Sequence, residues 1–261
     1  MTGLRRSLTI ARNDFALFMQ EPIAVIVLVV MPLLVMPFGK PIYESALQQD
    51  SYPLANGAEQ VVPGMALMFV FFMVTFAGLA FFREHIWFTW DRIRCLPVKP
   101  WEIMFGKSAL PFVLICVQQL LLFTIGGFIF DLHIRGSLGA LMVVDLSFAL
   151  WLVAFILATV AWCTTFQQVL AVSNLGAIVF ASVGGAITPI SSLPSWADAV
   201  SPASPSYWAM RGFNSVLLDG QALHAVLLPV GVLLGSGLVF LILAAVRFRF
   251  DEPKGGVLPG L

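Results

Sequence analysis

Few side chains in this sequence have the type and spacing that chemistry at a site requires. Gly106-Lys107-Ser108 is similar to the end of a phosphate-binding loop, but that loop needs a preceding strand and a glycine where this chain has Trp101. The histidines and cysteines lack the spacing of a metal site or a disulfide framework: His85, His133, His224, Cys95, Cys116 and Cys163. We therefore predict no catalytic, metal-binding or cofactor-binding residues on this chain.

Asp145 is the carboxylate that lies nearest to the interior of a long apolar segment. Ionisable residues inside a membrane often mark the path of an ion or a proton. Asp145 is close to the outer end of its predicted span, where a helix cap or an interface residue is the plainer interpretation. An ion-coupled secondary transporter or channel stays open as the alternative, although the halves 1–130 and 131–261 share no motif that would indicate a repeat.

These residues are predicted to lie on or between long apolar helices. Hydrophobic residues make up 59% of the chain and charged residues only 11%. Residues 146–197 contain no Asp, Glu, Lys or Arg, a length that suits two membrane crossings of about 20 residues each. The predicted fold class is all-α: a polytopic membrane protein, with six transmembrane helices in a single domain over residues 1–261. The predicted spans are about 22–39, 61–82, 103–130, 141–163, 168–187 and 222–246.

The distribution of Lys and Arg predicts the topology. With the N-terminus inside, the inside segments hold all of the 14 basic residues except Lys40, Arg135 and Arg211. Cytoplasmic flanks of membrane proteins carry such an excess of positive charge. Both termini are therefore predicted to be cytoplasmic.

Residues 4–20 are predicted to form an amphipathic helix that lies in the inner membrane interface. An apolar stripe from Leu4 to Phe18 faces one side, and the pattern is typical of helices that lie on a membrane surface. A solvated extension of the first span is the alternative. The basic residues assigned to this interfacial helix are Arg5, Arg6 and Arg12.

The most charged part of the chain is the segment 83–107. Within it, residues 84–95 are predicted to form a short helix that Pro97 ends, with Trp87 and Trp90 on a common side. A solvated inside loop is the alternative. The two tryptophans favour a contact surface, because exposed aromatic pairs usually mark one.

Residues 184–213 are rich in proline but too apolar for a disordered loop. We predict that residues 188–213 form short broken helices that enter the outer leaflet as a re-entrant segment, following an outside loop predicted earlier in the chain at 40–60. Backbone of this kind must be covered by protein or face a wet cavity. The sixth span also contains a GxxxG spacing at Gly231 and Gly235, which predicts close helix packing within the subunit, with a contact between subunits as the alternative.

Three segments together resemble the permease subunits of type-2 ABC (ATP-binding cassette) exporters, and in particular those of the daunorubicin-resistance type. The amphipathic start ends in Glu21-Pro22, where the family more often has Asp-Pro. Residues 92–103, followed by Gly106-Lys107, are similar to the family's run ERLRATPVSPWEILLGK. Residues 189–205 are similar to the family's outer segment, although Ser204 stands where the family often has Asn.

The resemblance implies a permease subunit that moves an amphipathic substrate, such as a drug, lipid or glycolipid, outward across a bacterial cell membrane. It implies two separate ABC ATPase subunits, which bind ATP and Mg, and a second permease subunit of the same or a different chain. Membrane lipids are implied as further partners and nucleic acid is not. The chain itself would not be an enzyme.

The resemblance also implies roles for two sets of residues. The short inside helix would be a coupling helix seated in a cleft of the ATPase, and the outer broken helices would line the exit path. The implied coupling residues are Glu84, Trp87, Trp90, Asp91, Arg92, Arg94 and Pro97. The implied exit-path residues are Pro189, Pro194, Trp196, Pro205, Tyr207 and Trp208.

Overall fold

The fold was analysed in a computed structural model, which describes residues 3–18, 22–50, 52–87 and 100–247. All regular structure in these ranges is helical, as the sequence predicts. The α-helices are α1 (Gly3–Phe18), α2 (Pro22–Val25), α3 (Met31–Gln49), α4 (Ala58–Val70), α5 (Met73–Ile86), α6 (Pro100–Phe130), α7 (Leu138–Trp162), α8 (Phe166–Val183), α9 (Ser195–Val200), α10 (Pro205–Leu217) and α11 (Leu227–Arg247).

Six helical segments in the described ranges are long and apolar enough to cross a membrane, which confirms the predicted number. The second and fourth are each 67% buried inside the subunit, whereas the other four are only 22–28% buried. The second and fourth spans therefore form the centre of the bundle, and the others surround them with apolar faces turned outward. The six spans are Ile23–Gln49, Ala58–Glu84, Glu102–Phe130, Leu138–Trp162, Phe166–Val183 and Leu223–Arg247.

The first span continues well past its predicted end at residue 39. A π-helical segment, Ile26–Val30, joins α2 to α3 and precedes Pro32, whose ring cannot fit a regular α-helical turn. The helix then runs to Gln49, so the loop predicted at 40–60 is wrong over its first half. Lys40 can remain in the helix because its ammonium donates to the Phe130 carbonyl, 2.8 Å away, at the C-terminal end of α6.

The second span is broken in its middle, between α4 and α5. The Phe71 carbonyl at this break accepts a hydrogen bond of 3.0 Å from the Ser173 hydroxyl on α8. The same carbonyl accepts from the Val74 amide at 3.0 Å, so the serine adds a second hydrogen bond that joins α8 to the break. Gly78 allows α8 to approach closely below the break, because a Cβ there would overlap the side chain of Val169.

Aromatic rings fill the centre of the bundle around Trp151 on the fourth span. Its indole stacks on Phe155, with ring centroids 5.2 Å apart, and meets Phe240 of the sixth span edge to face at 5.5 Å. Edge-to-face and offset pairs of this kind add stability beyond the buried area. The remaining rings of the cluster are Phe71, Phe148 and Phe180.

The sixth span packs against the fourth through Gly237, whose Cβ position lies 3.3 Å from the Trp151 backbone. The prediction that Gly231 and Gly235 mediate packing within the subunit is wrong for the part of the chain that the structure describes, because no atom lies within 4 Å of a Cβ built on either. The face of α11 that packs against α7 carries Gly237 and is not the face that carries Gly231 and Gly235. Spacing alone does not reveal which small residue is covered.

Broken structure follows α8, as predicted for residues 188–213. The helix ends at Val183, four residues before the predicted limit of 187. Gly185 has a φ of 79°, a left-handed conformation that glycine adopts without strain. A 3₁₀ turn at Ile190–Ser192, the short helix α9 and a second 3₁₀ turn at Ser201–Ala203 lead to α10.

Candidate functional site

Two ends of the bundle carry the features that bear on function. The charged end is the end at which α1 meets the last turns of α5 and the first turns of α6. The broken-helix end is the opposite end of the second span, where residues 184–213 contact α3 and α4.

A group of three buried charges, the charge triad, joins the elements of the charged end. The ammonium of Lys107 on α6 lies 2.7 Å from a carboxylate oxygen of Glu84 on α5 and 3.4 Å from one of Asp14 on α1. The three side chains are 1%, 15% and 6% exposed respectively. The same ammonium lies 5.1 Å above the ring of Phe81, a favourable cation–π distance.

Opposing effects act on the pKa of Asp14 in the charge triad. Burial raises the pKa of the Asp14 carboxyl above its usual range, the Lys107 charge lowers it, and the Glu84 charge raises it again. The carboxylates of Asp14 and Glu84 both lie beside the Lys107 ammonium, and the Arg83 charge also lowers the pKa of Asp14. Removal of the ammonium takes the positive charge of Lys107 away from both carboxylates, at high cost. The triad therefore ties α1 to the second and third spans.

A cavity of about 670 Å³ lies beside the charge triad, between α1, α5 and α6. Its walls are mainly apolar and include Leu17, Phe76, Leu110 and Leu114. Its polar part consists of the triad together with Asn13, Arg83 and Trp87. The cavity thus combines an apolar volume with a charged and aromatic end, an arrangement that suits an amphipathic molecule.

The structure corrects the start of the predicted coupling helix at residues 84–95. Helix α5 runs to Ile86, and the Trp87 amide continues it by donating to the Arg83 carbonyl at 2.9 Å. Glu84 therefore belongs to the last turn of the second span, where Lys107 contacts it. Trp87 is 58% exposed, with the Arg83 guanidinium 5.4 Å from its ring centroid. The other predicted coupling residues, Trp90, Asp91, Arg92, Arg94 and Pro97, lie outside the described residues.

The predicted interfacial helix at residues 4–20 corresponds to α1, which packs along the start of α6. Its basic residues Arg5 and Arg6 lie in the first turns, and Arg12 is exposed. Asp14 is buried against the subunit, whereas Phe15 is 46% exposed.

The broken-helix end is held mainly by neutral side chains that bond to backbone carbonyls, and one carboxylate, Asp50, accepts from the Ser191 hydroxyl. The Tyr43 hydroxyl on α3 donates to the carbonyl of Ile187, and the Gln60 amide on α4 donates to that of Gly185 at 2.7 Å. Gly64 on α4 lies directly against the Ala186 carbonyl, where a Cβ would overlap it. These contacts hold a non-helical backbone against two spans and provide two of its carbonyls with hydrogen-bond donors.

The predicted exit-path residues lie along this segment with different exposures. Pro189 and Pro205 are buried, and Pro205 begins α10 at the position where proline is favoured. The exposed members are Pro194 and Trp196, the latter 68% exposed. Tyr207 and Trp208 are partly buried and pack edge to face, and the Trp208 indole donates to the Pro202 carbonyl at 2.8 Å.

Another cavity, also about 670 Å³, lies between the broken-helix end and the start of the sixth span. Its lining is far more polar than that of the cavity at the charged end. The sequence analysis did not single out these side chains as a group, because they come from two helices and the turn between them. The polar lining residues are Arg211, Asn214, Ser215, Asp219, Gln221 and His224.

Several polar side chains are buried inside the spans. Gln118 and Gln119 on α6 are 2% and 1% exposed, and in the described structure none of their amide atoms has a hydrogen-bond partner. One carboxylate oxygen of Asp145 on α7 also lacks a hydrogen-bond partner in the described structure. Sequence analysis singled out Asp145 and missed the two glutamines, since an uncharged residue does not interrupt a charge-free window.

Asp14 and Lys107 are the functional candidates that sequence analysis missed most clearly. Lys107 was noted only in a failed phosphate-loop pattern and in the run that resembles the family, and Asp14 was not considered at all. A signal was present, because Ala11, Asp14 and Phe18 share one helical face and place an acid on an apolar stripe. The partner of that acid is 93 residues away and could not be identified from spacing.

Comparison with known proteins places this architecture in a family. Residues 6–218 match the family model described as ABC-2 type transporter. The chain is similar to ABC transporter G family member 20 of Dictyostelium discoideum, with 27% identity over 77% of this chain and 28% of that protein. It is also similar to the probable multidrug ABC transporter permease YbhR of Escherichia coli strain K12, with 25% identity over 56% of this chain and 40% of that protein.

The chain thus spans less than half the length of these curated relatives. The matches do not distinguish the daunorubicin-resistance type from other members of the family, so that finer assignment stays a prediction. The family match covers most of the chain, from α1 to the end of α10, and so includes both the charged end and the broken-helix end. With its six spans, this multi-pass membrane protein belongs to the ABC-2 type transporter family.

Proposed function

We propose that this chain is the membrane permease subunit of an ATP-driven exporter that moves an amphipathic substrate, such as a drug, lipid or glycolipid, out of a bacterial cell. The observation that carries the proposal is the family match over residues 6–218 of a six-span bundle. The similarity to a protein named as a probable multidrug ABC transporter permease supports the substrate class. Both termini face the cytoplasm in this proposal, as the distribution of basic residues predicts.

In the proposed complex, two ABC ATPase subunits bind ATP and Mg on the cytoplasmic side, and a second permease subunit packs beside this chain. The segment from Trp87 to Arg94 contacts the ATPase. Trp87 supports this role, because a large, exposed aromatic side chain at a membrane-protein loop is the kind of residue that anchors in a partner's pocket. The charge triad then connects that contact to α1 and to the third span.

The broken-helix end is the proposed exit region. Its backbone is tied to α3 and α4 by Tyr43 and Gln60, while Trp196 stays exposed. An apolar, aromatic surface at this depth suits the release of an amphipathic molecule into or past the outer leaflet.

Transport into inside-out membrane vesicles tests the proposal. We expect uptake of a fluorescent amphipath that requires hydrolysable ATP and persists when a protonophore removes the ion gradient. The double variant Trp87→Ala/Trp90→Ala should keep membrane insertion and ATP hydrolysis but lose most transport per ATP, because the proposed anchor is gone. Normal coupling in that variant would remove the coupling role from this helix.

A secondary transporter or channel is the competing function, and one observation favours it. Asp145, Gln118 and Gln119 bury polar atoms without hydrogen-bond partners in the described part of the spans, as an intramembrane ion path would require. Uptake that ignores ATP, collapses with the protonophore and is lost in Asp145→Asn would favour this second function over the first.

A further inference from the structure

We propose that the cavity between α1, α5 and α6 is the loading site of the exporter, where a membrane amphipath with an apolar body and a polar head of no net charge first binds. The proposal rests on the function proposed above and adds the place and the chemical class of the bound molecule. Neither the family match nor the named relatives assign a ligand to this cavity.

The apolar body is indicated by the walls. Side chains from three helices, including Leu17, Phe18, Phe76, Leu110 and Leu114, form the apolar part of the lining. The volume of about 670 Å³ lies within the range of roughly 300–1,000 Å³ that is usual for sites of drug-sized molecules. A single long hydrocarbon chain or a compact polycyclic body would fill it.

The polar head is indicated by the charges at one end of the cavity. Among the residues that the structure describes, the lining contains two carboxylates, from Asp14 and Glu84, and two cations, from Arg83 and Lys107, so their formal charges cancel. The ammonium of Lys107 is enclosed by both carboxylates and is only 1% exposed. A head with a net charge would disturb this balance in a poorly solvated place, whereas an uncharged or zwitterionic head would add hydrogen bonds without doing so.

A molecule bound in the cavity would affect the packing of α1. Asn13, Asp14, Leu17 and Phe18 form one wall of the cavity, so a bound molecule contacts α1 directly. The ion pair from α1 to Lys107 is the longer of the two in the triad, at 3.4 Å. A molecule in the cavity would therefore alter the docking of α1 and, through Glu84, the position of the segment proposed to contact the ATPase.

Photolabelling of the purified full chain in phosphatidylcholine vesicles tests the site. Three probes share one diazirine-bearing alkyl chain and differ in the head: a polyhydroxyl head, a trimethylammonium head and a sulfonate head. Labelled positions are mapped by mass spectrometry and normalised to Phe128, an 88% exposed residue on the outer face of α6. We expect the polyhydroxyl probe to label Leu17, Leu110 and Leu114 about tenfold more, relative to Phe128, than the charged probes do.

A matched pair of variants separates the cavity from the general membrane surface. Leu114→Trp fills the cavity, and Val113→Trp adds the same ring one residue away on a face that is 48% exposed. The first should reduce cavity labelling about tenfold and the second should leave it unchanged. Ala80→Phe, which fills the cavity from α5, should repeat the loss if Leu114→Trp folds poorly. Equal labelling in the filled and control variants, or equal labelling by all three probes, would overturn the proposal.

The chain with its co-purified ATPase distinguishes a loaded substrate from a resident lipid. Labelling by the polyhydroxyl probe should fall during ATP turnover, because an exported molecule leaves the cavity. Labelling that stays constant during turnover would show a resident lipid and overturn the loading role. Because labelling of the chain alone needs no ATPase, the cavity and the exporter function can fail separately.

Discussion

The charged end and the broken-helix end of this protein are held together by different chemistry. At the charged end, three elements from distant parts of the sequence meet in the charge triad. At the broken-helix end, uncharged side chains donate to the carbonyls of Gly185 and Ile187. A triad of charges depends on every member and on protonation, whereas each neutral hydrogen bond contributes separately and modestly. The charged end is thus the part of the fold that a proton or a partner's charge can alter.

We expect the largest loss of stability from replacement of Lys107. Lys107→Met leaves the carboxylates of Asp14 and Glu84 buried without their ammonium, which should cost about 3–5 kcal/mol. Thermal unfolding of the purified protein in detergent should show a large loss, and a disulfide engineered between α1 and α6 should form less readily.

The control for that variant neutralises the whole triad. Asp14→Asn/Glu84→Gln/Lys107→Met removes all three charges together and should recover most of the lost stability, because no carboxylate of the triad is then left without the Lys107 ammonium. Stability of Lys107→Met equal to that of the original protein would show that the three charges are not coupled. A triple variant as unstable as Lys107→Met would place the cost in packing instead.

A smaller loss is expected at the broken-helix end from Gly64→Ala. The added Cβ would overlap the Ala186 carbonyl, so the backbone of the segment must shift, at a cost of about 1–3 kcal/mol. Gly127→Ala is the matched control, because no atom lies within 4 Å of a Cβ there in the described structure. Equal unfolding temperatures for the two variants would contradict the close contact between α4 and the segment.

Tyr43→Phe sharpens the contrast between the ends. It removes the hydroxyl that donates to the Ile187 carbonyl and should cost about 1 kcal/mol, with little dependence on pH or salt. Tyr52→Phe is the comparison variant, since its hydroxyl bonds to Asp219 at 2.8 Å on the exposed surface and should contribute less. A loss in Tyr52→Phe as large as in Tyr43→Phe would show that burial of the bond is unimportant.

The smallest effect is a pH dependence at Asp14. Burial raises the pKa of this carboxyl above its usual value of 3.8, so the folded state holds the proton more tightly than the unfolded state. Stability from this group is therefore lost as the pH rises from 3.8 through the raised pKa, and no further change follows at higher pH. The unfolding temperature of the original protein should fall across this window relative to Asp14→Asn. Parallel pH profiles of the two proteins would contradict the raised pKa.

The membrane architecture could be predicted from the sequence because it depends on long charge-free windows. Residues 146–197 alone require two crossings, and the structure has them as α7 and α8. The end of the first span could not be predicted in the same way. Lys40 and Pro41 look like a helix end, yet the helix continues through them, and the Lys40 ammonium bonds to the Phe130 carbonyl, 90 residues away.

The candidate site was less accessible to sequence analysis than the spans. The broken segment before the sixth span was predicted from its prolines, but the groups that hold it, Tyr43 and Gln60, come from other spans. Asp14 and Lys107 are likewise informative only as a pair. A helix can be predicted from local sequence, because its hydrogen bonds and apolar periodicity join residues that are close in the chain. A buried ion pair between distant elements leaves no such local pattern.

Co-purification tests whether this chain is the permease subunit of an ABC exporter. The tagged chain is isolated in mild detergent, its partners are identified by mass spectrometry, and ATP hydrolysis is assayed. We expect a stoichiometric ABC ATPase that hydrolyses ATP, with the presence or absence of a second type of permease chain distinguishing a heterodimer from a homodimer. A chain that purifies as an oligomer of itself, free of any ATPase, and still transports on an ion gradient would contradict it.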